Sequence, residues 1–192
     1  MRRFKATVMF EFVAPYSQSR AINEPKLQGE TADLYEQRTW RMRMHTDDGG
    51  NVFIPPNAIK NGLAEAAKYL SKSIKGKGKN TYTKHFEAGV LVLDPVRLPV
   101  RAADAPGEWL FVPADGRRGG PKRVMKCFGR LENLGELMAT IYVLDPVIDE
   151  ETFKEHLDTF AGFIGLGRFR PRNNGWYGRL KILDVKWEEE ST

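Results

Sequence analysis

Phe4, Ala6, Val8, Phe10 and Phe12 alternate with Lys5, Thr7, Met9, Glu11 and Val13. A period of two with one strongly apolar side predicts a strand lying against a core. The polar stretch 14–31, with prolines at 15 and 25, reads as a loop. Trp40, Met42 and Met44 then alternate with Arg41, Arg43 and His45, and Asp47-Asp48-Gly49-Gly50 supplies turn chemistry before 51–54 returns. This predicts a hairpin with one apolar and one basic face. Pro55-Pro56-Asn57 opens a helix with Asn57 as its N-cap, and Ile59, Leu63, Ala66, Leu70 and Ile74 follow at helical spacing. Lys75 to Asn80 reads as a flexible basic loop and Gly89 to Asp94 as a short buried strand closed by Pro95. Within 96–130 two strand-like pieces, 109–112 and 124–128, flank the basic run DGRRGGPKR. Residues 137–144 alternate as another strand. Asp149 caps a helix whose first turn holds Glu150 and Glu151, where negative charge suits the helix dipole. Phe153, Leu157, Phe160 and Ile164 form its apolar stripe, and 177–187 is the last strand.

The main elements therefore run β, α, β, β, α, β. That order predicts an α+β, ferredoxin-like antiparallel sheet with two helices on one face. The chain reads as one domain over 1–192, with insertions at about 14–55 and 96–130, no internal repeat and no dividing linker. The RNA-recognition motif shares this order and binds single strands on its open sheet face or its loops.

Charge sharpens the picture. The formal net charge is +5, which suggests an anionic partner, and its distribution says more than its size. Six lysines and no acid lie between Ala66 and Phe86, and six basic residues and no acid between Arg117 and Arg130. Five more lie between Arg168 and Lys181, again without an acid. These windows hold over half of the 30 basic residues, while acids gather at 145–158 and 188–190. Such segregation predicts a phosphate-binding surface. The single cysteine, Cys127, excludes an internal disulfide and a cysteine metal cluster, and its strand-like setting predicts a small buried hydrophobe. No apolar run approaches the ~18 residues of a membrane span. The N-terminal segment alternates like a strand and has no signal-peptide pattern, so a soluble, cytoplasmic protein is expected.

The third window is the most specific. Gly162, Gly165, Gly167, Gly175 and Gly178 are interspersed with Arg168, Arg170, Arg172, Arg179, Phe169, Trp176 and Tyr177. Glycine admits close backbone approach, arginine pairs with phosphate and aromatic rings stack on bases. In an extended loop, Arg168, Arg170 and Arg172 would all point one way as a phosphate comb. Trp176 and Phe169 could stack bases or close the core, and Tyr177 leans towards the core. Lys75, Lys77, Lys79, Arg117, Arg118, Lys122 and Arg123 join them as candidate contacts.

Two segments resemble the RAMP superfamily, the ferredoxin-like RNA-binding proteins of CRISPR-associated complexes. Ile54-Pro55-Pro56-Asn57-Ala58-Ile59-Lys60-Asn61-Gly62 resembles that family's Ile-Pro-Gly-Ser-Ser-Leu-Lys-Gly entry into its first helix. The glycine loop between the last helix and last strand stands where the family carries its own. Here Pro56 replaces Gly, Asn57 replaces Ser, the glycine is shifted to 62 and no arginine follows on the helix, so the chain resembles a compact or phage-encoded relative of that family. The resemblance implies single-stranded RNA binding, by side-by-side copies or within a ribonucleoprotein complex, with Lys60 reaching the RNA backbone. It assigns the lysine loop and the 115–123 tip the parts of finger-like insertions.

Catalysis has one candidate grouping, Tyr82, Lys84 and His85, because some relatives are metal-independent endoribonucleases using such groups as acid and base. His45 falls at a strand end, and His156, on an acidic helix, reads as a surface residue. No metal spacing, nucleophile elbow or phosphate loop occurs. The reading favoured is a non-catalytic binding protein needing no cofactor. The alternatives are an endoribonuclease of the same superfamily and a phage protein that docks on or inhibits an RNA-guided complex.

Overall fold

The computed structural model describes residues 3–114 and 121–190. Its main sheet is built from β1 (Arg3–Phe12), β3 (Val90–Leu91), β7 (Glu136–Val143) and β8 (Leu180–Glu190), ordered β3-β7-β1-β8 with every pairing antiparallel. Taken as first, second, third and fourth core strands, that order is 4-1-3-2 read from the β8 edge. This is a ferredoxin-like α+β sheet. Its helices are α2 (Pro56–Leu70) and α4 (Glu150–Thr159), the latter continued by a π-turn over Phe160–Ile164.

The alternation in β1 works as its period demands. Ala6, Val8 and Phe10 are buried, and Val8 and Phe10 line the core together with Ile59 of α2, Leu157 of α4, Phe160 just after it, and Ala139 and Ile141 of β7. Gly62 of α2 lies so close to the Phe160 ring that a Cβ there would come within 2.2 Å of it. That glycine lets α2 and the π-turn pack. The opposite sheet face carries Lys5, Thr7 and Met9 with the register partners Glu188, Lys186 and Asp184, and stays open to solvent.

The structure differs from expectation around residue 40, at the ends of the long helix and around His85. Residues 40–45 are not a strand: α1 (Ala32–Thr39) runs into a 3-10 turn at Trp40–Arg43. Trp40 and Met44 are buried and Met42 exposed, so the stretch has no single apolar face. The expected turn at 47–50 does form, with Asp47 N–H donating to the Asn51 carbonyl and Phe53 N–H to that of His45, both at 3.0 Å, but the strand partner of β2 (Asn51–Ile54) is β4 (Val96–Arg101). The long helix begins two residues earlier than expected, with Pro55 and not Asn57 as the capping position. Pro55 is its N-cap and Pro56 its first residue, where a missing N–H costs nothing, and it stops at Ser71 in a left-handed conformation, leaving Ile74 outside. A short helix, α3 (Thr83–Gly89), occupies the stretch around His85, and it shortens the following strand to two residues. The two strand-like pieces of the second insertion form one hairpin, β5 (Gly107–Pro113) with β6 (Arg123–Gly129). Cys127 is fully buried at its base. No described helix is long and apolar enough to cross a membrane.

Candidate nucleic-acid interface

The glycine-rich connection does not run extended. Its backbone folds back on itself and onto the loop after β1: Leu166 N–H donates to the Gly178 carbonyl (2.9 Å), Gly178 N–H to that of Pro15 (2.8 Å), Arg168 N–H to that of Ser17 (2.7 Å) and Tyr177 N–H to that of Phe169 (3.0 Å). A Cβ on Gly178, whose φ is +66°, would fall 1.8 Å from the Leu166 carbonyl oxygen. There the missing side chain admits the protein's own backbone, not a ligand.

This folding separates the three arginines that an extended loop would have aligned. Arg170 and Arg172 turn back to Glu65 of α2, at 2.9 and 3.0 Å. Arg168 takes a different path. Its guanidinium lies 3.3 Å from the Phe128 ring centre and 4.8 Å from that of Phe169, and no carboxylate among the described residues reaches it. Burial, with a smaller contribution from nearby Arg43, pushes its pKa down to about 10. It therefore stays protonated at neutral pH but poorly solvated, and an anion that reached it would interact through a low local dielectric.

Arg168 and Arg170 form one wall of a cleft of about 300 Å³. Tyr16, Gln18 and Ser19 line it from the loop after β1, His45 from the segment before β2, and Pro55, Ala58 and Asn61 from the start of α2. The Gln18 amide nitrogen is buried and has no protein acceptor. Burial, aided by Arg20, lowers the His45 pKa, so its ring is neutral at pH 7. The cleft thus offers a cation, amide groups and a helix N-terminus on one side, all suited to an anionic, hydrogen-bonding ligand.

The surrounding aromatics divide clearly. Tyr177 is buried, and its hydroxyl donates to Glu108 of β5, with the two carboxylate oxygens at 2.8 and 3.0 Å. Burial, then that carboxylate, raises its pKa. Phe169 packs edge-on against Phe128 and Tyr177. Trp176 stands 54% exposed beside Tyr177, which leaves it the free stacking surface of this loop. A second exposed apolar set, the aromatic Trp109 and Phe111 with Met125, lies on one side of the β5–β6 hairpin, with Arg123 over the Phe111 ring.

The hairpin is pinned by Glu36 of α1, a residue that sequence reasoning missed. Its carboxylate is almost fully buried and accepts from Arg43, from Lys126 at 2.8 Å and from the Cys127 N–H at 2.9 Å. Burial alone would raise its pKa, but those donors hold it below the ordinary value. Arg43 is therefore a structural cation and not part of a basic hairpin face. Arg41 lies over the Trp40 ring, and the Arg20 side chain donates to the Met42 carbonyl.

The other candidate residues do not gather here. Lys60 donates to the Glu87 carbonyl at 3.0 Å, tying α2 to α3. Lys75, Lys77 and Lys79 are exposed on a turn closed by Ile74 N–H to the Asn80 carbonyl at 2.8 Å. That turn follows the C-terminal end of α2, about 20 Å along the helix from the cleft at its start. The lysine turn and the cleft therefore stand at opposite ends of α2. Lys122 and Arg123 stand exposed at the far end of the hairpin, Arg179 is exposed beside β8, and Arg117 and Arg118 lie outside the described residues.

His85 Nδ1 is 2.6 Å from Asp145, with Tyr82 edge-on to its ring and Lys84 exposed. Burial would raise the Asp145 pKa, but the Val147 N–H and His85 outweigh it and hold it below the ordinary value. His156 is no surface residue. It is fully buried, stacked 4.2 Å from the Phe86 ring, with Nδ1 donating to the Thr152 carbonyl. The acidic residues of α4 lie on its solvent side, while position 156 falls on the apolar stripe between Phe153 and Leu157. Among the described residues, no cluster of histidine, cysteine and carboxylate groups could hold a metal.

No protein-family model matches the chain, and no curated protein matches it in sequence. Its fold is similar to a chain in a solved structure described as the "Type III-B Cmr-beta bound to cognate target RNA", with a TM-score of 0.51 at 12% identity. The match covers 97% of this chain and 61% of that one, so this protein spans under two thirds of its neighbour's length.

Proposed function

We propose that this protein binds single-stranded nucleic acid, RNA by preference, without cutting it, as a RAMP-type component of an RNA-guided ribonucleoprotein. The observation that carries this reading is Arg168. It is a desolvated guanidinium with no carboxylate partner, held over Phe128 at the wall of a cleft that also contains donor groups and the start of α2. The fold likeness to a chain of an RNA-bound complex supports RNA as the ligand. The open sheet face lacks the stacked aromatics and basic balance of an RNA-recognition motif, so the loops carry the binding. Phosphate runs past the cleft and Arg168 while exposed Trp176 stacks a base, worth about 1–3 kcal/mol.

Filter binding of single-stranded RNA over a salt series tests this reading. Affinity should fall linearly on logarithmic axes, with a slope of roughly −0.7 per phosphate neutralised. Equally weak retention at low and high salt would sink it, and tighter retention of single-stranded DNA would reverse the preference. The His85–Asp145 pair favours a second reading, a metal-independent endoribonuclease with His85 as general base. Discrete cuts in RNA that persist in EDTA and vanish in His85→Ala would establish that reading over the first.

A further inference from the structure

The acidic run at 188–190 has no part in the cleft. It forms the end of β8, and β8 is an edge of the main sheet. The strand is 11 residues long, and from Leu180 to Glu188 no backbone group on its outer side is bonded to another described segment. Long open edges invite pairing with another strand, and charges and a bulge along the edge restrict which strand can pair there.

The charges along this edge are ordered. Arg179 and Lys181 lie at one end, Glu188 and Glu190 at the other, with Asp184 and Lys186 between. Relative to β1, Leu183 is an extra, bulged residue, since Met9 pairs with Asp184 and Phe10 with Ile182. When two β8 edges meet antiparallel about a two-fold axis at Val185, Asp184 stands opposite Lys186 of the second copy. Beyond the bulge, Lys181 stands opposite Glu188 and Arg179 opposite Glu190, all on the open sheet face. On the helix side Ile182 meets Trp187. Each pairing occurs twice by symmetry, so the charges of the open face are complementary between the two copies, while on the helix side Leu180 falls opposite Glu189. Within one chain these charges are lightly engaged: Lys186 reaches Glu188 at 2.9 Å and Lys181 reaches Glu11 at 3.6 Å, all exposed, while Asp184 has no cation within reach among the described residues.

We propose that two copies of this chain associate through their β8 edges into a two-fold dimer with one continuous eight-stranded sheet. The occupant of the edge is a second copy because the pattern matches its own reverse, as an isologous interface requires. This does not rest on the nucleic-acid reading, since the edge lies outside the cleft.

Sedimentation of protein stripped of nucleic acid, from low to high micromolar, tests the dimer. The expected mass is twice 21.9 kDa at the upper end, falling towards the monomer as salt rises. Asp184→Lys alone, or Lys186→Asp alone, places like charges opposite each other twice and should weaken association about ten-fold or more. The double variant D184K/K186D restores the pairing and should recover it. As a check independent of charge, a copy carrying D184C mixed with one carrying K186C should give a mixed disulfide on mild oxidation. A monomer throughout the range, single variants that dimerise like the parent, or a double variant no better than either single would each overturn the proposal.

Discussion

Replacing Arg168 by alanine should do more to nucleic-acid binding than replacing Arg172, although the two are near neighbours in one loop. Arg172 is about half exposed and already neutralised by Glu65 at 3.0 Å. Its removal costs the complex one screened, shared charge. Arg168 has no such partner, and its guanidinium is held in place by Phe128 at 3.3 Å. A hydrogen bond from a charged donor contributes about 1.5–3 kcal/mol. At 1.4 kcal/mol per factor of ten, Arg168→Ala should weaken single-stranded RNA binding about 10- to 100-fold. The salt slope should also flatten by about 0.7, the share of one single-strand phosphate. Arg168→Lys should fall between, because lysine keeps the charge but not the planar fork that stacks on the ring. Fold stability should change little, since the lost cation–ring contact is offset by relief of a desolvated charge. Fluorescence anisotropy of a labelled oligonucleotide over a salt series, with melting curves as control, measures all of these. Equal losses for Arg168→Ala and Arg172→Ala would restore the extended-comb reading. No loss for Arg168→Ala would refute the role of the cleft.

Three further perturbations follow from the same geometry. Glu65→Gln frees Arg170 and Arg172, so it should tighten binding by a few-fold and steepen the salt dependence, read in the same titration. Glu36→Gln leaves Arg43, Lys126 and the Cys127 N–H without their buried carboxylate and should cost about 3–5 kcal/mol of stability by urea unfolding. His156 is buried as the neutral ring, with its pKa below the ordinary 6.5 because burial outweighs the Thr152 carbonyl. The unfolded chain therefore takes up the proton first. Stability should begin to fall as pH drops through about 6.5 and go on falling until the folded pKa is passed. His156→Phe should remove that part of the pH dependence.

The main sheet and its two helices were legible because their patterns have fixed periods. Alternation in β1 and β7, and the stripe Phe153, Leu157, Phe160, need only the identity of the residues. The stretch 40–45 alternated just as well, yet it became a 3-10 turn, because α1 delivers Trp40 and Met44 into the core from a helix that local pattern did not show. Cys127 fell on the buried side as expected, whereas His156 did not fall on the exposed side. Its acidic neighbours on α4 masked the helical stripe to which it belongs. In the glycine loop, composition pointed to arginine and aromatic chemistry but could not show which arginines were already paired. Glu65 lies over a hundred positions from Arg170, and Glu36 ninety from Lys126, so no reading of local windows joins them. The lysine window and the glycine loop looked like parts of one surface for the same reason: a sequence lists charges in order and does not place two groups of them at opposite ends of α2.

The most direct test of the account is a hydrogen-exchange map of the protein with and without single-stranded RNA. Protection should centre on 166–178, the Tyr16–Ser19 segment and the start of α2, with the Lys75–Lys79 turn and the open face of β1 and β7 unchanged. Protection confined to the lysine turn or to the sheet face, with the cleft segments exchanging as before, would contradict it.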